Sequence, residues 1–165
     1  MENGRKRKCV FAGTFDPVTL GHKALLLECV KLFDEVVVAV MVNPSKQPLF
    51  TVEERVEMLG LMLRDEPKVR ILSFTGTVAE LLEKEDTKFY VRGIRNSVDL
   101  DFENANFYAS KKLDNELCAI YIPCPQELLH VSSSMVRTCL QFNLPMDEYV
   151  TAEVNDYIRE RKRLC

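Results

Sequence analysis

Residues 13–22 read Gly13-Thr14-Phe15-Asp16-Pro17-Val18-Thr19-Leu20-Gly21-His22 and connect a predicted strand to a predicted helix. The run before them, residues 8–12, is short and mostly apolar, and apolar residues recur at helical spacing over residues 23–33. Glycine permits backbone angles and close approaches that a side chain would block, and the first helical turn has unpaired, partly positive N–H groups. An anion fits there, and the ring of His22 in that turn can donate a hydrogen bond to a phosphate oxygen.

A second segment of the same kind lies near the end of the chain, where Val131-Ser132-Ser133-Ser134-Met135-Val136-Arg137 opens an amphipathic stretch. One serine is expected to cap the helix, and the other serines and the free backbone N–H groups are suited to phosphates. Arg137 comes about one turn later on a similar face. A plain helix cap accounts for one serine but not for three followed by an arginine.

The rest of the chain alternates between strand and helix patterns. We predict strands at Lys8–Ala12, Glu35–Val42, Val69–Phe74, Lys88–Arg92 and Cys118–Ile122. We predict helices from near Gly21 to Phe33 and at Val52–Arg64, Thr77–Glu85, Asp99–Lys112, Ser132–Gln141 and Thr151–Arg163. This alternation indicates one α/β domain with a doubly wound parallel sheet of about five strands, in which ligands bind beyond the carboxyl ends of the strands. Each of the segments suited to phosphates falls at such an end.

Four blocks of the sequence resemble known enzymes. Gly-Thr-Phe-Asp-Pro followed by Thr-x-Gly-His is similar to the signature of the nucleotidyltransferase superfamily. Residues 43–55, residues 90–99 and the three serines with Arg137 are similar in order and spacing to the phosphopantetheine adenylyltransferase family, and the likeness runs from about residue 9 to about residue 159. The resemblance implies a Rossmann-like nucleotidyltransferase fold. It also implies transfer of the adenylyl group of ATP to 4'-phosphopantetheine by direct in-line displacement, which gives dephospho-coenzyme A and pyrophosphate in coenzyme A biosynthesis.

The same resemblance implies which residues form the site. The catalytic residues would be His22, Lys46 and Arg95. The residues that bind phosphopantetheine would be Thr14, Lys46, Val78, Arg92 and Asn106. The residues that bind ATP would be Thr14, Phe15, His22, Arg95, Glu103, Val131, Ser132, Ser133, Ser134 and Arg137.

The reaction that these residues would serve needs positioning and electrostatic stabilisation. A phosphate monoester is already a nucleophile, so no covalent intermediate with the protein is required. His22 would donate to the α-phosphate, and Lys46, in a loop stiffened by Pro44 and Pro48, would bring a point charge between the two phosphates. Arginine side chains grip phosphate oxygens bidentately, which suits the proposed roles of Arg92 and Arg95.

Some acidic residues allow two interpretations. Asp99, Asp101 and Glu103 could form a solvated acidic edge with a helix N-cap instead of contacting the nucleotide. Asp16 could hold the first loop or lie near magnesium. His130 is expected to be a loop residue and not a catalyst.

Composition and charge narrow the class of protein. The chain has 165 residues, of which 47% are hydrophobic and 28% charged, so we expect one globular domain over residues 9–165 after a flexible basic extension at residues 1–8. A formal net charge of −3 argues against a general nucleic-acid binder. No apolar run approaches the ~20 residues of a membrane helix, which predicts a cytoplasmic protein without membrane contact. The six cysteines form no C-x-x-C pair, which argues against a zinc site or a disulfide framework.

The expected ligands follow from the resemblance. ATP would enter with Mg²⁺, with no metal site of the protein's own, and coenzyme A is a possible feedback ligand. By resemblance the assembly would be a homo-oligomer, a hexamer. Three alternatives stay open: another branch of the superfamily, such as a cytidylyltransferase or a nicotinamide mononucleotide adenylyltransferase; a non-catalytic nucleotide or coenzyme A sensor; and RNA binding through the basic clusters at the two ends.

Overall fold

The computed structural model describes residues 6–45, 47–112 and 116–164 of the chain. The strands are β1 (Lys8–Gly13), β2 (Glu35–Met41), β3 (Val69–Phe74), β4 (Phe89–Ile94) and β5 (Cys118–Pro123). The α-helices of the described residues are α1 (Leu20–Leu32), α2 (Val52–Met62), α3 (Val78–Lys84), α4 (Ser97–Lys111), α5 (Ser133–Phe142) and α6 (Ala152–Leu164), and a short 3₁₀ helix covers Gln126–Leu128. The predicted basic extension at residues 1–8 falls mostly outside the described residues, and Lys8 already belongs to β1.

The strands form one parallel sheet in the order β3-β2-β1-β4-β5. The chain builds the sheet outward from β1 to β3 and then returns to place β4 on the other side of β1. This confirms the predicted doubly wound α/β fold. In such a sheet the reversal of strand order, here between β1 and β4, opens a crevice at the carboxyl ends where ligands bind.

Both faces of the sheet are covered, as its apolar strands require. Cys9 and Phe11 of β1 pack with residues of α1, α2, α5 and α6, whereas Val10 and Ala12 pack on the opposite face with residues of α3 and α4. All four of these side chains are buried. Strand β1 is therefore at the centre of the core, and its end at Gly13 is held by packing on two sides.

Threonine caps begin three of the helices. In α2 the Thr51 hydroxyl accepts from the Glu54 amide at 3.2 Å, and the Thr51 amide donates to the Glu54 carboxylate at 2.7 Å, which is the predicted capping box. Helix α3 repeats this arrangement with Thr77. In α1 the cap is Thr19, and the third position of the box holds His22 instead of an acidic residue. The start of α1 therefore fixes an imidazole.

Several predicted boundaries differ from the observed ones by one or two residues, and the end of β4 is the one that affects the site. We predicted that β4 ends at Arg92, but the strand continues to Ile94 because pairing with β5 continues through Arg92–Tyr121 to Ile94–Pro123. Arg92 is consequently held by the sheet and is not on a loop. No helix in the described residues has both the length and the apolar character needed to span a membrane.

Two glycines in the described elements should respond to alanine in opposite directions. A Cβ at Gly93 in β4 would lie 2.1 Å from Cδ1 of the buried Leu25, so Gly93→Ala should lower the free energy of unfolding by about 1–3 kcal/mol through overpacking. A Cβ at Gly60 in α2 meets nothing within 4 Å, so Gly60→Ala should raise it by about 0.5–1 kcal/mol. Urea unfolding measures both, and an unchanged free energy of unfolding in Gly93→Ala would contradict the close contact between α1 and β4.

Candidate active site

A cleft with a volume of about 1070 Å³ opens at the carboxyl ends of β1, β4 and β5. Eleven residues that the sequence assigned to the site line it: Thr14, Phe15, His22, Arg92, Arg95, Glu103, Val131, Ser132, Ser133, Ser134 and Arg137. Another cavity, of about 930 Å³, lies at the amino ends of β1 and β4, among side chains of mixed charge such as Lys6, Lys88, Glu80 and Glu83. The chemical groups that converge on the first cleft, and not its size, make it the candidate active site.

The loop after β1 is held by side chains from other elements. The buried Asp16 carboxylate accepts hydrogen bonds from the Leu49 amide at 2.8 Å and from the Phe50 amide at 2.9 Å. The Asp16 carbonyl accepts from Arg137 at 2.6 Å, and the Pro17 carbonyl accepts from Ser133 at 2.8 Å. Asp16 therefore holds the first loop, which is one of its two predicted roles.

The position of His22 follows from its capping box. The Thr19 amide donates to Nδ1 of His22 at 3.1 Å, and the Thr19 hydroxyl lies 3.0 Å from the same atom. Because Nδ1 accepts a hydrogen bond, the neutral imidazole carries its proton on Nε2. The ring of Phe15 meets the imidazole edge to face, with centroids 5.0 Å apart. The backbone thus selects the tautomer that can donate to a ligand.

The surroundings of His22 keep it neutral. Burial, with the positive charges of Arg92 and Arg95 acting in the same direction, lowers the pKa of His22 to about 4. At neutral pH the imidazole is therefore an uncharged donor that does not add to the local charge.

This low pKa makes stability depend on pH with a definite sign. Between the lowered pKa near 4 and the ordinary value of 6.5, the unfolded chain binds more protons than the folded one. The contribution of neutral His22 to the free energy of unfolding should thus be complete above about pH 6.5 and be lost as the pH falls toward 4. Urea unfolding at several pH values should show that the free energy of unfolding depends less on pH in His22→Gln over this window.

NMR gives the pKa of His22 directly in His130→Gln, which leaves His22 as the one histidine of the chain. The titration midpoint of His22 should lie near pH 4, and a midpoint near pH 6.5 would contradict the assignment.

Arg92 lies inside β4 and crosses toward α4. Its guanidinium pairs with the buried Glu103 and donates to the Ala12 carbonyl, while Nε has no partner in the described part of the chain. Burial works against the charge, but Tyr90 and the hydrogen bond to Glu103 outweigh it, so the pKa of Arg92 is raised. Glu103 is buried and paired, which argues against its reading as part of a solvated acidic edge.

Arg95 follows β4 and lies at the start of α4. Its Nε donates to Asp99 at 2.9 Å, and this hydrogen bond is the main reason that the pKa of Asp99 is lowered. The N-cap of α4 is Asn96, whose side chain accepts from the Asp99 amide at 2.9 Å. Each of these two arginines is thus oriented by a carboxylate of α4 before any substrate binds.

The three serines have three different partners. Ser132 is the N-cap of α5 and accepts from the Met135 amide at 3.1 Å, whereas Ser133 donates to the first loop. The Ser134 hydroxyl accepts from Arg137 at 2.9 Å. The first turn of α5 lines the cleft, as do Gly21 and His22 of α1, and the N-terminal turn of a helix carries partial positive charge on its N–H groups. Two helix starts and the arginines make this cleft suited to a polyanion.

Comparison with known proteins agrees with this geometry. Residues 10–139 match the family model described as cytidylyltransferase-like. A phosphopantetheine adenylyltransferase of Lachnoclostridium phytofermentans is 34% identical over 152 residues, which cover 92% of this chain and 93% of that protein. Another of Dictyoglomus turgidum is 37% identical over 154 residues, which cover 93% and 94%. The chain belongs to the phosphopantetheine adenylyltransferase family.

The fold is shared beyond this family. A crystal structure named as that of a nicotinate-nucleotide adenylyltransferase from Vibrio parahaemolyticus superposes with a TM-score of 0.74, at 21% identity and with 94% of this chain and 93% of that chain covered. At this identity the likeness shows the fold alone. The phosphopantetheine adenylyltransferase assignment rests on the more similar sequences.

Three predicted site residues are not among those that line the cleft. Lys46 lies outside the described residues, although its neighbours Gln47 and Pro48 line the cleft. Val78 begins α3 and packs half-buried on the core, and Asn106 is exposed on α4. Their roles in the phosphopantetheine adenylyltransferase site remain predictions.

Two contributions to the site were missed from the sequence. Arg55 of α2 is buried and donates to the Thr14 carbonyl at 2.9 Å, and Thr19 sets the tautomer of His22. Arg55 belongs to a block that carried the resemblance to phosphopantetheine adenylyltransferases, but no role followed from its position alone. The threonine-histidine spacing of three was a usable signal, because it matches a capping box.

Proposed function

We propose that this protein transfers the adenylyl group of ATP to 4'-phosphopantetheine, giving dephospho-coenzyme A and pyrophosphate. The observation that carries the proposal is the convergence of His22, Arg92 and Arg95 with the first turns of α1 and α5 on one cleft. These groups stabilise negative charge, and none of them is needed as a nucleophile. This is what a reaction between two phosphorylated substrates requires.

The reaction proceeds by in-line displacement. An oxygen of the 4'-phosphate attacks the α-phosphorus of ATP, and the bond from that phosphorus to the oxygen bridging to the β-phosphate breaks as pyrophosphate leaves. Neutral His22 donates from Nε2 to the α-phosphoryl oxygens as their negative charge grows, and Arg95 neutralises charge on the nucleotide phosphates. Arg92 holds the 4'-phosphate by its guanidinium, and the Thr14 hydroxyl orients it. The serine turn of α5 and Arg137 bind the β- and γ-phosphates.

The remaining assignments concern the pantetheine arm and the nucleotide. Lys46 places a point charge between the two phosphates, and Val78 and Asn106 contact the arm of phosphopantetheine. Glu103 contacts the ribose or adenine end of ATP, and Phe15 and Val131 complete the nucleotide site.

Magnesium fits this site as part of the substrate MgATP. The acidic side chains that line the cleft are already engaged, Glu103 by Arg92, Asp99 by Arg95, and Asp16 by two backbone amides. In the described residues, no group of three or more histidine, cysteine or acidic side chains could hold a metal ion. Mg²⁺ prefers oxygen ligands and commonly binds through substrate phosphates, where it neutralises charge.

We place the enzyme in the cytoplasm as a homo-oligomer, a hexamer by resemblance, with coenzyme A as a feedback ligand. Sedimentation tests the oligomeric state, and a titration with coenzyme A tests whether it binds as a feedback ligand.

A product assay tests the function itself. Incubation with ATP, Mg²⁺ and 4'-phosphopantetheine should release pyrophosphate and form dephospho-coenzyme A, whereas CTP in place of ATP, or pantetheine in place of its phosphate, should give little product. Faster turnover with CTP would assign the chain to a cytidylyl-transferring branch. Binding of ATP without any product would favour a sensor.

A further inference from the structure

Arg55 is a buried cation without an acidic partner. It is 2% exposed, and its guanidinium donates to two backbone carbonyls, from Nε to Thr51 at 3.2 Å and from Nη1 to Thr14 at 2.9 Å. Across residues 6–45, 47–112 and 116–164, no carboxylate forms an ion pair with it, whereas Arg92, Arg95 and Arg137 each have one. A buried charge is costly without compensation, so its position calls for a cause.

The helix that carries Arg55 increases this cost. Arg55 lies at the fourth position of α2, near the helix N-terminus, where the partial positive charge of the helix disfavours a cation. Glu54 of the same turn pairs with Arg161 and not with Arg55. A structural contact to two carbonyls could be made by a neutral side chain, so the charge itself has a use elsewhere.

The peptide unit between Thr14 and Phe15, whose carbonyl accepts from Arg55, indicates what the charge is for. Carbonyl and N–H of one peptide unit point in opposite directions, so a Thr14 carbonyl directed at Arg55 turns the Phe15 N–H away from it. Phe15 and Thr14 both line the active-site cleft, and Phe15 has a positive φ of 50°. In the described residues the Phe15 N–H has no hydrogen-bond acceptor. An unpaired donor at the end of β1 is suited to a phosphate oxygen.

The cavity on the other side of Thr14 fits this arrangement. It has a volume of about 520 Å³, is lined by Thr14, Pro48, Thr51 and Arg55 among others, and shares Thr14 and Pro48 with the active-site cleft. Thr14 thus separates the cavity that Arg55 lines from the cleft where the phosphates would bind. Across protein of low dielectric constant, the charge of Arg55 acts on phosphates more strongly than it would through water.

We propose that Arg55 is a positioning residue that directs the Phe15 N–H at the ATP phosphates and stabilises them with its buried charge. The proposal rests on the adenylyl transfer proposed above for its effect on turnover, but not for its effect on ATP binding. It explains both why the residue is charged and why no carboxylate neutralises it.

The test follows the Phe15 amide by NMR during a titration with MgATP in the absence of the second substrate. In the wild type the Phe15 N–H resonance should move downfield as a phosphate oxygen accepts its hydrogen bond. In Arg55→Lys, which keeps the charge but not the two-pronged contact, the shift should be smaller and turnover should fall about tenfold. In Arg55→Met, which also lacks the charge, turnover should fall about 10²-fold and MgATP should bind more weakly, in line with the loss of an oriented donor.

Arg64→Lys, two residues after the end of α2, is the matched control, since Arg64 is exposed and pairs with Asp65 and Glu153. It should leave the Phe15 shift and turnover unchanged. If the Arg55 variants lose stability but keep the wild-type shift and turnover, the role is only structural and the proposal is wrong. If the Arg55 variants do not fold, the wild type still tests the proposal. A Phe15 N–H resonance that does not shift when MgATP is added would contradict it. A wild type that shows the shift but forms no dephospho-coenzyme A would reject the proposed function and leave this inference standing.

Discussion

Replacing His22 by alanine is expected to lower the turnover number by about 10²- to 10³-fold and to change the dissociation constant of ATP little. The Thr19 amide at 3.1 Å from Nδ1 leaves the proton on Nε2, so the ring is fixed as a donor before substrate binds. Such a donor gains most when charge develops on the α-phosphoryl oxygens, because it needs no reorganisation at that moment. The loss should therefore appear in kcat.

Two further variants separate chemistry from packing. His22→Gln keeps an N–H donor and should recover part of the lost turnover, whereas His130→Ala removes the other histidine, which is exposed, and should be neutral. ATP affinity is measured by calorimetry without the second substrate. If affinity and turnover fell by the same factor in His22→Ala, the residue would act in ground-state binding and the assigned role would be wrong.

Replacing Arg92 by alanine is expected to weaken binding of 4'-phosphopantetheine by about 10- to 100-fold and to leave binding of dephosphorylated pantetheine nearly unchanged. Hydrogen bonds to charged groups contribute about 1.5–3 kcal/mol each, and only the phosphorylated ligand has a charged group to lose. Calorimetric titration with each ligand gives the ratio directly. Equal weakening for both would contradict the phosphate assignment.

The design must account for Glu103, which Arg92→Ala would leave buried and unpaired. A stranded carboxylate could repel the phosphate, so Arg92→Ala/Glu103→Gln is the decisive comparison. The double variant should remain weak if the guanidinium itself binds the phosphate, and it should recover if repulsion caused the loss. Arg70→Ala is the matched control, because Arg70 also projects from a strand and pairs with glutamates but does not line the cleft.

The sequence predicted the architecture well because its signals are local. The valine-rich run at Glu35–Met41 and the threonine-glutamate box at Thr51 depend on neighbouring residues, and both elements lie where we expected them. The extension of β4 past Arg92 was missed because it depends on pairing with β5, whose register is set by distant residues. Local patterns contain no information on such a partner.

The candidate site shows the same division. The residue types and their place at strand ends were readable, since phosphates need cations and helix starts. The partners of these residues could not be predicted, because they lie on other elements. Arg92 of β4 pairs with Glu103 of α4, and Asp16 accepts from amides 33 and 34 residues away. The buried Arg55 is the clearest case, since nothing near it in sequence indicates that it contacts the Thr14 carbonyl, 41 residues distant.

The meeting of β1 and β4 has a consequence for how the molecule is held together. In the described strands these two share a single register pair, Val10 with Tyr90, whereas β1 with β2 and β4 with β5 are each paired along the strand. Reactants that contact Thr14 and His22 beyond β1 and Arg92 on β4, as we propose, would therefore bridge the junction with the fewest register pairs among the described strands. Binding of such a ligand would stabilise the contact between the two halves of the sheet, so the contacts proposed for catalysis would also raise the free energy of unfolding.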